Sequence, residues 1–323
     1  MLAYIIRRIF QGAIVLLIVG FVSFCMFRFM GDPLESLLGQ EATTQDRVDL
    51  RERLGLDDSI AVQYVRFLGN AVQGEFGISY RNGVPVSELI AQRLPATLEL
   101  ALVSAVLALL VGILLGVYTA IRRDGWLANG IMSLSLIGVS LPTFLIGILL
   151  IWVFAVELGW LPSFGRGQIG TLLGVETSLA TASGIKSLIL PAITLGLYQM
   201  TLIMRLVRAE MLEVLRADYI RFARARGLPE RAINFSHALK NTLLPVITVI
   251  GLQLGQIIAF AIITETVFQW PGVGLLFINA VKFVDIPVMT TYLLLVGAMF
   301  VVLNLLVDLL YAVIDPRLRV ERH

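Results

Sequence analysis

Thiol and metal chemistry have almost nothing to work with in this 323-residue chain. It holds one cysteine, Cys25, and two histidines, His237 and His323. A lone cysteine excludes an internal disulfide, and without a histidine pair or an H-E-x-x-H run there is no metal-ligand spacing. No G-x-x-x-x-G-K-[ST] run is present, because none of Lys186, Lys240 and Lys282 follows a glycine. The chain therefore has no loop of that kind to cradle nucleotide phosphates. No G-x-S-x-G elbow occurs either, and the apolar runs carry no Ser/His pair or paired aspartates for proteolysis within a membrane. Nothing here supports an enzyme. Charge is scarce too, at 15% of residues with a formal net charge of +2. The basic side chains gather at the ends of apolar runs, which speaks against a nucleic-acid partner.

What fills the chain instead is apolar. Hydrophobic residues make up 58% of it, and its mean hydropathy is +0.87. A soluble protein of this size could not hide so much apolar surface, so the expected class is an all-α polytopic membrane protein in a lipid bilayer. Six runs are long enough to span it, at Ile9–Met30, Leu98–Ile121, Ile131–Val156, Leu188–Met204, Leu243–Ile263 and Tyr292–Ile314. The first is too long for a signal peptide and lacks a small-residue cleavage site, so it reads as a retained anchor. Arg7, Arg8, Arg122, Arg123, eight basic residues after the fourth run, and Arg317, Arg319 and Arg322 fall on one side if six spans alternate. The other side has six basic but ten acidic residues between Gly31 and Pro95. Positive charge marks the cytoplasmic face, which puts both termini there.

Three regions follow: a cytoplasmic N-terminus with the first span (1–30), an external helical cap (31–97), and a five-span core (98–323). In the cap, Thr44 reads as a helix start, and Ala61–Val72 and Val86–Leu94 read as short amphipathic stretches. Within the spans, Gly112 with Gly116 and Gly251 with Gly255 form G-x-x-x-G pairs that let helices approach closely. Pro142 removes a helical hydrogen bond and predicts a kink in the third run. Gln253 and Gln256 share a helix face, Asn304 and Asp308 form a polar stripe, and Gln199 adds a further polar group. Such groups tend to face a bundle interior or a water-filled path, and packing and path lining remain open for them.

The richest stretch is 205–241, RLVRAEMLEVLRADYIRFARARGLPERAINFSHALKN, with eight Lys/Arg against four Asp/Glu. Asp218 can cap a short helix there. Tyr219, Phe222 and Ala223 share one face of it, with Ile220 on the edge and Arg221 and Arg224 opposite. Gly227 stands where a left-handed C-terminal residue is wanted, and Pro229 can open the next helix. A stiff, basic, two-helix corner suits docking of a soluble partner.

The Arg205–Pro245 region resembles the cytoplasmic "EAA" loop of bacterial ABC-transporter permeases of the dipeptide/oligopeptide/nickel type. The matching segments are ADYIRFARARG at Ala217–Gly227 and HALKNTLLP at His237–Pro245. Arg221 and Phe222 stand where the general pattern has Glu and Ala, a departure usual in peptide-type permeases. Further blocks agree in order: LGLDDSIAVQYVRFLGNAVQGEFGISY at Leu54–Tyr80, RLPATLELAL at Arg93–Leu102, SLPTFLIGI at Ser140–Ile148, ETVFQWPGVG at Glu265–Gly274 and DLLYAVIDPRLR at Asp308–Arg319. The resemblance implies a six-span subunit of a type I ABC importer working by alternating access. It implies a second permease, two cytoplasmic ATPases that bind ATP and Mg, and an external substrate-binding protein. This chain itself would hold no cofactor. Asp218, Tyr219, Arg221, Phe222, Ala223, Arg224 and Gly227 would couple it to the ATPases, and Gln199, Gln253, Gln256 and Asn304 would line the path. Cargo could be peptides, a nickel chelate, glutathione or an opine-like solute. A passive channel or secondary transporter would share the apolar composition, but the inverted repeats and mid-membrane charges common in such proteins are not evident.

Overall fold

The computed structural model describes residues 2–29, 45, 57–172 and 174–314, with backbone alone at 2–5, 244–245, 248–254 and 310–314. The helix start expected at Thr44 and the basic residues after Ile314 lie outside the described residues. Helices α1 (Leu2–Phe29), α2 (Ile60–Gln73), α3 (Val86–Ile121) and α4 (Trp126–Ser140) come first. Next is α5 (Thr143–Leu150), which runs into π-helical turns at Ile151–Glu157. A small antiparallel hairpin, β1 (Gly170–Leu172) with β2 (Val175–Thr177), pairs Thr171 with Glu176. Then come α6 (Ala182–Val214), α7 (Asp218–Ala225), a π-helical stretch (Ala232–Leu239) leading into α8 (Lys240–Val267), α9 (Val273–Lys282) and α10 (Ile286–Ile314).

Among the described residues, four helical stretches are long and apolar enough to cross a membrane: Ile6–Phe29, Val86–Ile121, Ala182–Val214 and Ile286–Leu309. The pair α4 and α5 makes a fifth if it counts as one span. Within the residues described in full, α8 adds an apolar stretch at Gly255–Val267.

The third run departs from the expected kink. It is two helices meeting at 114°. Proline drives the residue before it out of helical geometry, and Leu141 sits at φ −91°, ψ 139°, with Pro142 at ψ 139°. The Pro142 carbonyl then accepts from Leu145 and Ile146 at 3.0 and 3.2 Å and starts the new helix. Pro95 and Pro191 lie inside α3 and α6 without ending them. Leu190 and Pro191 are buried, so packing holds that turn helical.

Two compact units result, Met1–Pro95 with Gly272–Leu305, and Ala96–Pro271 with Leu306–His323. In the first, α2 lies along α1. The Tyr64 hydroxyl donates to the Leu17 carbonyl at 2.7 Å, and Phe21, Phe24, Phe27, Tyr64 and Phe67 form a run of ring contacts. Asp285, buried at the start of α10, accepts from the Ser79 hydroxyl and from the backbone N–H groups of Tyr80 and Arg81. Its neighbour Val284 has φ +55°, a conformation costly for a β-branched residue.

In the second unit the Gly112/Gly116 pair does what its spacing predicts. A Cβ on Gly112 would lie 2.9 Å from Ile203, and one on Gly116 would lie 2.7 Å from Val207 and 2.8 Å from the Met204 carbonyl. Only hydrogen lets α3 and α6 approach so closely. One apolar cluster joins Ala108 and Val117 of α3 to Ile203, Val207 and Met211 of α6 and continues to Ile220, Ala223, Ile233, Ala238 and Val246. A second surrounds Leu100, Leu188, Leu195 and the fully buried Trp270.

Candidate functional site

The basic corner grows out of α6, which continues past its apolar part to Val214. A turn at Leu215–Ala217 ends α6, and α7 follows. Its N-cap is Ala217, with no side-chain cap; Asp218 is the first helical residue. The capping role expected of Asp218 is therefore not realised. A preceding residue in extended geometry (Ala217, ψ 150°) occupies that place, and a methyl group cannot accept a hydrogen bond. The Asp218 carboxylate instead pairs with Arg221 at 3.3 Å on the exposed surface, where the helix N-terminus also favours negative charge.

The other end of α7 is built as expected. Gly227 has φ +78°. Its N–H donates to the Arg224 carbonyl at 2.9 Å, and the Leu228 N–H donates to the Ala223 carbonyl at 3.3 Å. This is the Schellman pattern, which satisfies the last carbonyls of a helix. Pro229 lies one residue before the next helix begins; its carbonyl accepts from Ile233 at 3.1 Å. Arg224 reaches across to Glu230 at 3.1 Å, and the Asn241 amide donates to the Tyr219 hydroxyl at 2.9 Å. These contacts brace α7 against the start of α8.

Burial splits the expected apolar face in two. Ile220 is fully buried and Ala223 nearly so, within the cluster that includes Met211 and Ile233. Tyr219 is 45% and Phe222 64% exposed. Positions three apart share a helix face, and the protein's own core takes the 220/223 pair. The outward surface is therefore Tyr219 and Phe222, with exposed Arg221 and Arg224 around them, and Ala223 belongs to the support beneath. The Arg226 guanidinium lies 5.7 Å over the Phe222 ring.

Gln199 is buried on α6, Gln256 is exposed on α8, and the Gln253 side chain lies outside the described residues. Asn304 is half-buried on α10, and its amide donates to the Phe300 carbonyl of the same helix at 2.9 Å.

Sequence reasoning missed a polar node that joins two of the quoted blocks. Thr97 donates to the buried Glu265 at 2.6 Å, and the Trp270 indole N–H donates to the Ala96 carbonyl at 2.9 Å. Two residues on, Glu99 pairs with Arg166, with side-chain exposures of 8% and 9%. Glu99 also accepts from the Thr177 hydroxyl and the Ser178 N–H, both at 2.8 Å. The only sequence signal was an ionisable residue at the edge of an apolar run.

Residues 112–320 match the family described as the binding-protein-dependent transport system inner membrane component, and residues 1–101 match its N-terminal component. The chain belongs to this family. The permease is 41% identical to the dipeptide transport system permease protein DppB of Alkalihalophilus pseudofirmus over 332 residues, covering 99% of this chain and 100% of that one. It is 42% identical to the oligopeptide transport system permease protein AppB of Bacillus subtilis, covering 98% and 99% of the two chains. Its fold is similar to the MetNI methionine ABC transporter in inward-facing conformations, with a TM-score of 0.56 at 18% identity, over 70% of the permease and 96% of that chain. The permease is thus an ABC importer subunit of the bacterial inner membrane.

Proposed function

We propose that the permease carries di- or oligopeptides inward by alternating access. A second, similar permease completes the path, two cytoplasmic ATPases bind ATP and Mg and close on each other, and an external binding protein delivers cargo. In this reading the chain has six spans with both termini in the cytoplasm, and the α7 corner then lies on the ATPase side. The observation that carries the coupling role is the outward Tyr219/Phe222 pair on a helix whose opposite face is locked into the core. A helix braced in this way passes a push to α6 and α8 as a rigid body; a loosely held one would absorb it. Arg221 and Arg224 sit at the rim, suited to acidic groups on the partner. Gln199, Gln253, Gln256 and Asn304 remain the path residues of this reading. The full-length likeness to permeases named for peptides favours peptide cargo over a nickel chelate, glutathione or an opine-like solute.

The reading is tested with the transporter reconstituted from all its subunits in proteoliposomes. Phe222→Asp is expected to leave the permease at normal abundance, reduce co-purification of the ATPases and abolish uptake of a labelled dipeptide. Wild-type uptake with an intact complex would remove α7 as the coupling element. Failure of the wild-type assembly to take up any labelled di- or oligopeptide would remove the cargo assignment.

A further inference from the structure

The Tyr64 hydroxyl meets α1 at Leu17, twelve residues before its end at Phe29, or about 18 Å along a helix axis. The aromatic face of α2 is therefore level with the apolar run of α1, not stacked beyond it. The opposite face of α2 exposes Val62, Val65 and, at 89%, Val72. Hydrocarbon solvates such a stripe far better than water does. Between α1, α2 and the first turns of α10 lies a cavity of about 360 Å³, walled by Phe24, Phe27, Phe67, Phe76 and Leu294. That volume is within the roughly 300–1,000 Å³ of small-ligand sites.

Two arginines also line the cavity. Arg66 is committed to Asp58 at 2.6 Å. Arg28, half-buried in the last turn of α1, forms no ion pair with any described residue. It stands at the end of α1 remote from Arg7 and Arg8, where a span meets the headgroup level. A guanidinium held there beside an apolar chamber matches one chemistry, a phosphate ester with a hydrocarbon tail. Glu75 on the same wall suits a headgroup that also carries an ammonium.

We infer that this cavity is a phospholipid site, with an acyl chain among the phenylalanines and the phosphate on Arg28. The test uses the whole transporter in mild detergent, titrated with phosphatidylethanolamine or with diacylglycerol and read by native mass spectrometry. One lipid is retained per copy of the permease, with the phospholipid held about tenfold more tightly, as a charge-assisted hydrogen bond implies. Arg28→Gln removes that preference, Arg28→Lys keeps most of it, and Ala71→Trp, which fills the chamber, removes both lipids. Equal retention of the two lipids by the wild type overturns the inference. So does wild-type binding in either Arg28→Gln or Ala71→Trp, or full displacement of the lipid by inorganic phosphate. A cysteine at Asn70 that cross-links to another subunit overturns it as well, because the cavity is then a protein interface.

Discussion

At the residue scale, the most instructive position is Ala223. Its spacing from Tyr219 and Phe222 assigns it to a docking face, yet the cluster around Met211 and Ile233 encloses it. Ala223→Asp should therefore act on folding before it acts on coupling. Burying an unpaired carboxylate costs several kcal/mol, so the expected outcome is a sharp fall in membrane abundance, checked by immunoblot beside Phe222→Asp. Equal abundance of the two variants would mean that Ala223 faces outward. Gly227 isolates a different effect. A Cβ there would touch nothing within 4 Å, so Gly227→Val is penalised only by its left-handed backbone, about 1–2 kcal/mol. Asparagine tolerates that conformation better, so Gly227→Asn should retain more uptake than Gly227→Val; the reverse order would exclude the backbone as the cause.

At the element scale, the contact of α3 with α6 rests on the absence of side chains at Gly112 and Gly116. The Gly116→Ala methyl would meet Val207 and the Met204 carbonyl at under 3 Å, which forces the helices apart. Overpacking of this kind costs about 1–3 kcal/mol, and a lower melting temperature in detergent is the expected readout. The Glu99–Arg166 pair ties the segment before the hairpin to α3. Removing one partner of a buried pair costs about 3–5 kcal/mol, so Arg166→Met should destabilise strongly. Adding Glu99→Gln should recover part of that loss. A double variant no more stable than Arg166→Met alone would show that the Thr177 and Ser178 contacts of Glu99, not the charge pair, hold this corner.

At the scale of the whole molecule, the permease has no G-x-x-x-x-G-K-[ST] phosphate loop with which to draw on ATP. Purified without its partners, it should hydrolyse no ATP above background in a phosphate-release assay; turnover in a preparation free of other ATPases would contradict the subunit assignment. Cysteines at Gln253, Gln256 and Asn304, introduced after removal of Cys25, should react with polar thiol reagents in at least one nucleotide state of the full assembly. Protection in every state would make them packing residues.

Composition and patterning alone settled the membrane class, the helical architecture, the close approach at Gly112 and Gly116, and the glycine-terminated helix at Asp218–Ala225. These follow from hydropathy, 3.6-residue periodicity and backbone sterics, which act over a few turns and can be read locally. The tertiary structure alone decided which half of α7 faces outward, how far Pro142 breaks its span while Pro191 leaves α6 intact, and that Glu99 finds Arg166 67 residues away. Each of these depends on what lies across the helix from the residue in question. A stripe of apolar positions says that something will cover it; only the packed neighbours decide whether that is the protein's own core, a partner or lipid.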